Sequence, residues 1–265
     1  MNIILKNIIN NIIGEKLMID IRKHYIGHRF KKGLYDHFEK EIVILNHFVK
    51  HGNVALDIGA NIGIYTKLLS KLVGESGKVH AFEPVPVTYG YLMHNINRDE
   101  YKNVVMYNVA LSNQFGLSNI VLPDIGLNAI YRARIEHKHE IKGRKYSVMS
   151  VTIDELNSRC FDRADFIKCD VEGAELLVFQ GAQETISANK PVVICEVGGG
   201  CKAFGYTPTV LFQWFKDRGY FAFYYDGDKL ISCTNIDKRN SNSNYIFLPL
   251  NRYNDLKETN KTLME

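Results

Sequence analysis

The stretch Val54-Ala-Leu-Asp-Ile-Gly-Ala-Asn-Ile-Gly-Ile-Tyr-Thr66 decides the fold of this chain. An apolar run ends in Asp57, a turn carries Gly59 and Gly63, and a helical pattern follows. This order predicts a strand, a tight turn and a helix N-terminus, where small residues let a ligand approach free backbone N–H groups. The glycine spacing is G-x-N-x-G and an acid precedes it, so the turn differs from the G-x-G-x-x-G pattern of dinucleotide sites. The stretch therefore predicts a site for a nucleoside-like ligand.

Short apolar segments alternate with helical patterns along most of the chain. The predicted strands are Asn53–Asp57, Lys78–Glu83, Val104–Ala110, Asp165–Asp170, Pro191–Val197, Tyr220–Tyr225 and Tyr245–Leu250. The predicted helices are Tyr35–Lys50, a segment from Asn61 or Gly63 to Gly74, Pro86–Asn97, a short helix capped by Thr152 or Asp154, Glu172–Gly181 and Thr207–Gly219. The last two strands have no helix between them, which is typical of an antiparallel pair. This order predicts an α/β protein with a doubly wound, mostly parallel sheet of seven strands and an antiparallel edge strand.

Three polar residues near the glycine turn are candidates for ligand contact. Glu83 ends the strand after the turn, and in a βαβ unit an acid there, roughly 20 or more residues on, faces a ribose. Asn61 tolerates the left-handed geometry that the turn needs, so it either forms the turn only or also touches the ligand. Asn108 lies near the end of the third predicted strand, where it or a backbone group near Ala110 reads the edge of an adenine, or where it is an ordinary side chain at a strand end.

The run Phe166-Ile-Lys-Cys-Asp-Val-Glu-Gly-Ala-Glu175 is the second informative stretch. Strand alternation places Lys168 and Asp170 on one face, and a lysine inside an apolar strand needs a partner because an unpaired buried ammonium is costly. Asp170 lies at the carboxyl end of its strand, where open α/β sheets bind ligands. Glu172 begins the following loop or helix, and Glu196 ends the next strand. These three carboxylates are therefore predicted to converge.

Two kinds of chemistry suit Asp170, Glu172 and Glu196. One is general base catalysis, in which a carboxylate takes a proton from a substrate hydroxyl. The other is a Mg²⁺ site, with Asp170 and Glu196 as oxygen ligands. A purely structural alternative has Glu172 or Glu175 capping a helix and Glu196 pairing with Lys168.

The composition is that of a globular protein. The 265 residues suit one domain, with 46% hydrophobic and 23% charged residues. The formal net charge of +4 is too small to indicate a nucleic-acid partner. The five cysteines are odd in number and form no C-x-x-C pair, which disfavours a disulfide framework or a zinc site and favours a cytoplasmic location.

The N-terminal residues 1–34 are predicted to form a helical extension. Ile4, Ile8 and Ile12 recur at helical spacing and form an apolar stripe. The stripe either covers the core or a partner subunit, or makes a weak peripheral contact with a membrane surface. No apolar run reaches the ~18 residues needed for a transmembrane segment.

The main domain is predicted to span residues 35–250. Residues 114–150 interrupt its strand–helix rhythm and are predicted to be an irregular or β-hairpin insertion. This insertion contains the basic stretch Arg132–Lys145, a candidate contact for a phosphate- or carboxylate-bearing ligand. Residues 251–265 are predicted to be a polar tail that frays.

Together these residues resemble the FkbM family of S-adenosylmethionine (SAM) methyltransferases, which have the Rossmann-like class I methyltransferase fold. The matching signatures are Leu56-Asp-Ile-Gly-Ala-Asn-Ile-Gly63, Phe82-Glu-Pro84, Thr152-Ile-Asp-Glu-Leu156, Ile167-Lys-Cys-Asp-Val-Glu-Gly-Ala-Glu175 and Gly181-Ala182. The resemblance covers roughly Tyr35 to Leu250, and the signature around Lys168 makes it specific for the family. Cys169 departs from the pattern, because the family often has isoleucine or another apolar residue there.

The resemblance implies methyl transfer from SAM to a hydroxyl oxygen of a sugar, a glycan or a polyketide-type product. It further implies that Asp57, Gly59 and Gly63 line the methionine part of SAM and that Glu83 binds the ribose. Two alternatives stay open: a non-catalytic, SAM-binding partner of another enzyme, and an NAD-type oxidoreductase, which the glycine spacing disfavours. The choice of acceptor is predicted to lie in residues 1–34 and in the insertion.

Overall fold

The computed structural model describes residues 39–97, 99–123, 134–135, 143–237 and 243–264. The strands are β1 (Val54–Ile58), β2 (Lys78–Phe82), β3 (Val104–Tyr107), β4 (Ala110–Leu111), β5 (Gly116–Pro123), β6 (Arg134–Ile135), β7 (Gly143–Val151), β8 (Phe166–Cys169), β9 (Val192–Glu196), β10 (Tyr220–Tyr225), β11 (Leu230–Cys233) and β12 (Asn244–Pro249). The α-helices are α1 (Leu45–Phe48), α2 (Ile64–Val73), α3 (Pro86–Asn95), α4 (Ile153–Cys160), α5 (Glu175–Gln180), α6 (Gln183–Asn189), α7 (Pro208–Lys216), α8 (Leu250–Thr259) and α9 (Lys261–Met264). The predicted N-terminal extension, residues 1–34, lies outside the described residues.

The central sheet has eight strands in the order β11-β10-β12-β9-β8-β1-β2-β3. The five strands from β9 to β3 are parallel, β12 is antiparallel to both of its neighbours, and β11 is antiparallel to β10. The chain winds outward from β1 in one direction and from β8 in the other, so the strand order reverses between them. The prediction of a doubly wound, mostly parallel sheet is confirmed. The number of seven strands is wrong by one, because β11 forms an outer edge that the sequence did not indicate.

The parallel strands are covered on both faces, which explains their apolar sequences. In β1 and β8, Ala55 and Phe166 pack in one core, whereas Leu56, Ile167 and Cys169 pack in the other. All four residues of β8 are buried, including Lys168. The polar atoms of that lysine must therefore be satisfied inside the protein.

Two predicted helices differ from the structure. The prediction of Glu172–Gly181 starts too early, because Glu172 (φ +57°) and Gly173 (φ +109°) have left-handed backbone and α5 begins only after them. The predicted helix Tyr35–Lys50 is, in its described part, a 3-10 turn (Lys40–Ile44) followed by the single turn of α1.

The predicted insertion is β structure where it is described. Strands β5 and β7 pair antiparallel from Gly116 opposite Ser150 to Pro123 opposite Gly143, within a small sheet of order β4-β7-β5-β6. Ile120 and Val148 pack this sheet against Val85, at the start of α3. Residues 124–133 and 136–142, which include most of the basic stretch, lie outside the described residues.

The prediction that the C-terminal tail frays is wrong. Residues 250–264 form α8 and α9, whose Leu256 and Leu263 are each only 5% exposed. Arg252 Nη2 also donates to the carbonyl oxygen of Phe48, 3.1 Å away. Within the ranges that the structure describes, no helix has the length and apolarity needed to cross a bilayer.

Candidate functional site

The glycine turn lies between the carboxyl ends of β1 and β8. Gly59 has φ +78°, and a Cβ at this position would come within 1.9 Å of the carbonyl oxygen of Asp170. Gly63, with φ +92°, precedes the first residue of α2, and Asn61, with φ +52°, lies between them. Only glycine has the freedom and the space that Gly59 needs. The close approach brings the two informative stretches of the sequence together.

Glu83 lies beside this turn, as predicted. Its two carboxylate oxygens accept hydrogen bonds from the backbone N–H of Asn61 (3.0 Å) and of Val85 (2.8 Å). Burial raises the pKa of Glu83 to about 7, although these two N–H groups oppose the shift. A ligand that donates hydroxyl hydrogens to this carboxyl group favours its charged form.

Asn108 is exposed and braces the loop after β2. Its Nδ2 donates to the carbonyl oxygens of Glu83 (2.8 Å) and Pro84 (3.0 Å). This contact gives Asn108 a structural role beside the predicted ribose site. Its reading of an adenine edge stays a prediction.

Asp57 is 2% exposed, at the inner side of the site. The hydroxyl of Thr66 donates to Asp57 Oδ2 at 2.5 Å. Burial raises the pKa of Asp57 to about 6, while the Thr66 hydrogen bond and the charge of Lys168 lower it. The charge of Asp170 also acts on both Asp57 and Glu83. Three acids from three strand ends are thus coupled at one edge of the sheet.

Asp170, Glu172 and Glu196 converge as predicted. One carboxylate oxygen of each lies within 4.8 Å of the other two, and all three side chains are partly exposed. Burial, the charge of Asp170 and a hydrogen bond with Asp170 raise the pKa of Glu196 to about 9. These neighbours therefore favour the protonated form of Glu196. The left-handed turn at Glu172 explains how a residue after the strand points back to this cluster.

Lys168 is the cation next to this cluster. Its Nζ lies 3.6 Å from Asp170 Oδ2, 3.8 Å from Glu39 Oε2 and 3.2 Å from Asn244 Oδ1. Burial alone would lower the pKa of Lys168, but the charges of Glu39 and Asp170 outweigh it and raise this pKa. The structural alternative of a direct pair with Glu196 is replaced by pairs with Asp170 and Glu39.

The sequence did not indicate Glu39, Glu41, Tyr65 or Asn244 as site residues. The Tyr65 hydroxyl donates to Glu39 and lies 3.2 Å from Glu41 Oε1, and its ring lies 5.0 Å from Lys168 Nζ. Burial and the neighbouring charge of Glu39 raise the pKa of Glu41 to about 8. The only local signal was Lys168 itself. A lysine inside an apolar strand needs a partner, but the sequence does not indicate which residue provides it.

Glu175 holds the turn that presents Glu172. Its Oε1 accepts from the backbone N–H of Val171 (3.2 Å) and Gly173 (2.9 Å), and the Tyr206 hydroxyl donates to the carbonyl oxygen of Gly173 at 2.7 Å. Glu175 is 2% exposed, so it is a buried capping acid and not a solvated one. Burial raises its pKa to about 7.

The charges of the site favour one class of ligand. Asp57, Glu83 and Asp170 surround the glycine turn with acids, and Lys168 is a cation shared with Glu39. A pyrophosphate would be repelled by these acids, whereas a ligand with a positive charge and ribose hydroxyls would be attracted. The donor and acceptor set therefore fits a cationic nucleoside and disfavours a dinucleotide.

The sequence matches a family model and is similar to a curated protein. The sequence model of the family described as Methyltransferase FkbM domain matches residues 57–222. The protein named methyltransferase sdnD of Sordaria araneosa is 27% identical in an alignment of 156 residues, and the match covers 49% of this chain and 60% of that protein.

Two solved structures are similar to this chain at low sequence identity. The methyltransferase FkbM of Methylobacillus flagellatus KT is 15% identical, with a TM-score of 0.41, over 74% of this chain and 43% of that one. A SAM dependent methyltransferase of Aquifex aeolicus is 18% identical, with a TM-score of 0.43, over 83% of this chain and 96% of that one. The chain thus spans 60% of the curated relative and less than half of the first structure.

Proposed function

Because the chain belongs to the methyltransferase FkbM family, we propose that it transfers a methyl group from SAM to a hydroxyl oxygen of a sugar, a glycan or a related natural product. The match covers the glycine turn, Glu83, Asp170, Glu172 and Glu196. The proposal therefore rests on residues within the family domain.

The glycine turn and its acids are the proposed SAM site. Asp57, Gly59, Asn61 and Gly63 would line the methionine part, whose ammonium and sulfonium groups suit a surround of carboxylates. Glu83 would accept hydrogen bonds from the ribose hydroxyls. The support for SAM over a dinucleotide is the excess of carboxylates at this turn.

The observation that carries the proposed chemistry is the cluster of Asp170, Glu172 and Glu196 beside this turn. SAM supplies a methyl group on a cationic sulfur, which leaves with the electron pair of the broken C–S bond as a neutral thioether. Asp170 is the proposed general base: it takes the hydroxyl proton as the acceptor oxygen forms its bond to the methyl carbon. Glu196 would hydrogen-bond to Asp170, and Glu172 would form part of the polar wall against which the hydroxyl is oriented.

A Mg²⁺ ion on Asp170 and Glu196 fits this structure less well. The oxygen atoms are close enough for a shared cation. However, the Lys168 ammonium already lies 3.6 Å from Asp170. This positive charge reduces the affinity for a divalent cation at the same carboxylate. We therefore expect methyl transfer to persist in a chelator.

The test is transfer of labelled methyl from SAM to extracts separated into glycans, lipids, proteins and small molecules. The wild-type protein should label a hydroxyl-bearing fraction, with and without a chelator. Asp170→Asn should lower the rate about 10²-fold or more while SAM still binds, because the general base is lost. The control is Asp162→Asn, which changes an exposed acid before the same strand and should leave the rate unchanged.

Two results would contradict this assignment. Retention of most activity in Asp170→Asn would remove Asp170 as the base. Binding of SAM without transfer to any fraction would favour the non-catalytic SAM-binding protein. Calorimetry with SAM and with NAD tests the oxidoreductase alternative, since only one of the two ligands should bind. Binding of SAM excludes that alternative, whereas binding of NAD supports it.

A further inference from the structure

Lys168 lies at the centre of a charge network that extends beyond the family domain. Its side chain is 2% exposed, so water provides almost no solvation for the ammonium. The family model covers residues 57–222, which include Lys168 and Asp170. The other two partners, Glu39 and Asn244, come from the chain before and after that range.

The Asn244 amide joins the lysine to the glutamate. Its Oδ1 accepts from Lys168 Nζ at 3.2 Å, and its Nδ2 donates to Glu39 Oε2 at 3.0 Å. These two contacts orient the amide, since only one assignment of its oxygen and nitrogen satisfies both neighbours. Asn244 is the first residue of β12, opposite Glu196 in β9, so its backbone position is determined by the sheet.

Glu39 divides the positive charge of Lys168 between two carboxylates. The ammonium lies 3.6 Å from Asp170 and 3.8 Å from Glu39, so neither acid holds it alone. Without Glu39, a larger share of the charge of the buried ammonium would act on Asp170, although Glu41 and Glu196 also face Lys168. A carboxylate held more tightly in an ion pair is a poorer proton acceptor.

We propose that Glu39 and Asn244 are positioning residues of this site, which hold the Lys168 ammonium and through it the orientation and charge of the Asp170 carboxylate. The inference rests on the proposed function for the role of Asp170 as a base. Under this inference, residues outside the family domain position the charged groups within it.

The test is NMR on the full chain, which needs no acceptor. The Lys168 ammonium is followed by its ¹⁵N resonance, assigned by Lys168→Met, and Asp170 by its ¹³C carboxyl resonance, assigned by Asp170→Asn. In Glu39→Gln and in Asn244→Ala we expect proton exchange of the ammonium with water to rise about tenfold or more, and the Asp170 resonance to move. Glu39→Asp should restore part of both effects. Glu75→Gln, which changes an exposed glutamate, is the control.

The outcomes separate this inference from the proposed function. An unmoved Asp170 resonance in both Glu39→Gln and Asn244→Ala, with the folded state retained, overturns the inference. A moved resonance together with a lower kcat and an unchanged KM for SAM, on an acceptor that the wild type methylates, supports it. A moved resonance with unchanged kcat on that acceptor also overturns it, because the contacts would then be structural. A wild-type protein that methylates no fraction contradicts the proposed function alone.

Discussion

At the scale of single residues, buried acids set the chemistry of the site. Burial raises the pKa of Asp57 to about 6, and those of Glu83 and Glu175 to about 7 each. Each of these side chains is at most 5% exposed and accepts hydrogen bonds from named backbone or hydroxyl donors. Their charge therefore depends on whether a ligand adds further donors, which links binding to pH.

Glu83 should make SAM binding depend on pH. In the free protein its pKa is about 7, so the carboxyl group is largely protonated below that value. Ribose hydroxyls donate to the charged form, so binding lowers this pKa and releases a proton. The affinity should then fall as the pH drops below about 7, by up to about tenfold per pH unit. Calorimetry in buffers of different ionisation enthalpy measures both the dissociation constant and the released proton.

The control for this prediction is Glu83→Gln. It should weaken SAM binding about 10- to 100-fold and remove the proton release near pH 7, because one charged acceptor is lost. Asp57, with a pKa of about 6, should still give a weaker dependence at lower pH. An equal pH dependence in the wild type and in Glu83→Gln would show that another group is responsible.

Gly59 should tolerate no side chain, whereas Gly90 should. A Cβ at Gly59 would meet the Asp170 carbonyl oxygen at 1.9 Å, and its φ is +78°, so we expect Gly59→Ala to lose about 3 kcal/mol or more of stability. Gly90 lies within α3 with open space around its Cβ position. Gly90→Ala should stabilise by about 0.5–1 kcal/mol. Urea unfolding measures the free energy of unfolding of both variants. Equal changes in the two would show that the backbone and space at Gly59 impose no special requirement.

At the scale of elements, some helix ends are stabilised by local contacts and others by tertiary contacts. The sequence left Thr152 and Asp154 as alternative caps of α4. Thr152 caps α4 in a capping box with Glu155, whereas Asp154 accepts from the N–H groups of Glu184 and Thr185 at the start of α6. The first contact is local and could be predicted, while the second joins residues 30 or more apart in sequence.

The capping box gives an element-level prediction. Thr152→Ala should lower the free energy of unfolding by about 1 kcal/mol, because it removes the acceptor for the Glu155 N–H. Thr152→Ser keeps that oxygen and should change stability by only a few tenths of a kcal/mol. The measurement is chemical denaturation, and a neutral Thr152→Ala would mean that the helix start is held by packing alone.

The turn before α5 could not be predicted from local pattern. The run Glu172–Gly181 has the composition of a helix, yet its first residues adopt left-handed backbone. This geometry is held by Glu175 and by Tyr206, which lies more than thirty residues later in the chain. It also brings Gly173 so close to Gly200 that a Cβ would lie 2.4 Å from its carbonyl carbon.

At the scale of the whole molecule, the parts outside the family domain complete its core. Leu256 and Leu263 of the C-terminal helices pack in the same core as Ala55 and Phe166. Asn260 also contacts His47 of α1 at 2.9 Å. The N-terminal Glu39 and the β12 residue Asn244 meet at Lys168. The domain is therefore closed by segments from both ends of the described chain.

This closure predicts that the C-terminal helices contribute to the stability of the whole domain. Leu256→Ala should lower the free energy of unfolding by about 2–4 kcal/mol, because it leaves a cavity in the core. Leu250, at the start of the same helix, is 56% exposed, and Leu250→Ala should change it by less than about 0.5 kcal/mol. A fraying tail would make both variants neutral in thermal unfolding.

The sequence by itself determined the sheet class, the glycine turn and the acid at the end of β2, and its signatures resemble those of the family. The first three features depend on local backbone demands and on strand periodicity, which act over a few residues and are visible without a partner. The convergence of Asp170 and Glu196 could also be predicted, because parallel strands end at the same edge.

Only the tertiary structure decided which groups share the buried charge of Lys168. Glu39 and Asn244 are 205 positions apart in sequence, and neither has a local pattern that marks it. The tertiary structure likewise decided the eighth strand, the left-handed turn at Glu172 and the packing of the C-terminal helices. The physical reason is common to all four: burial leaves polar and apolar groups without water, and which groups replace it depends on segments that the fold alone brings together.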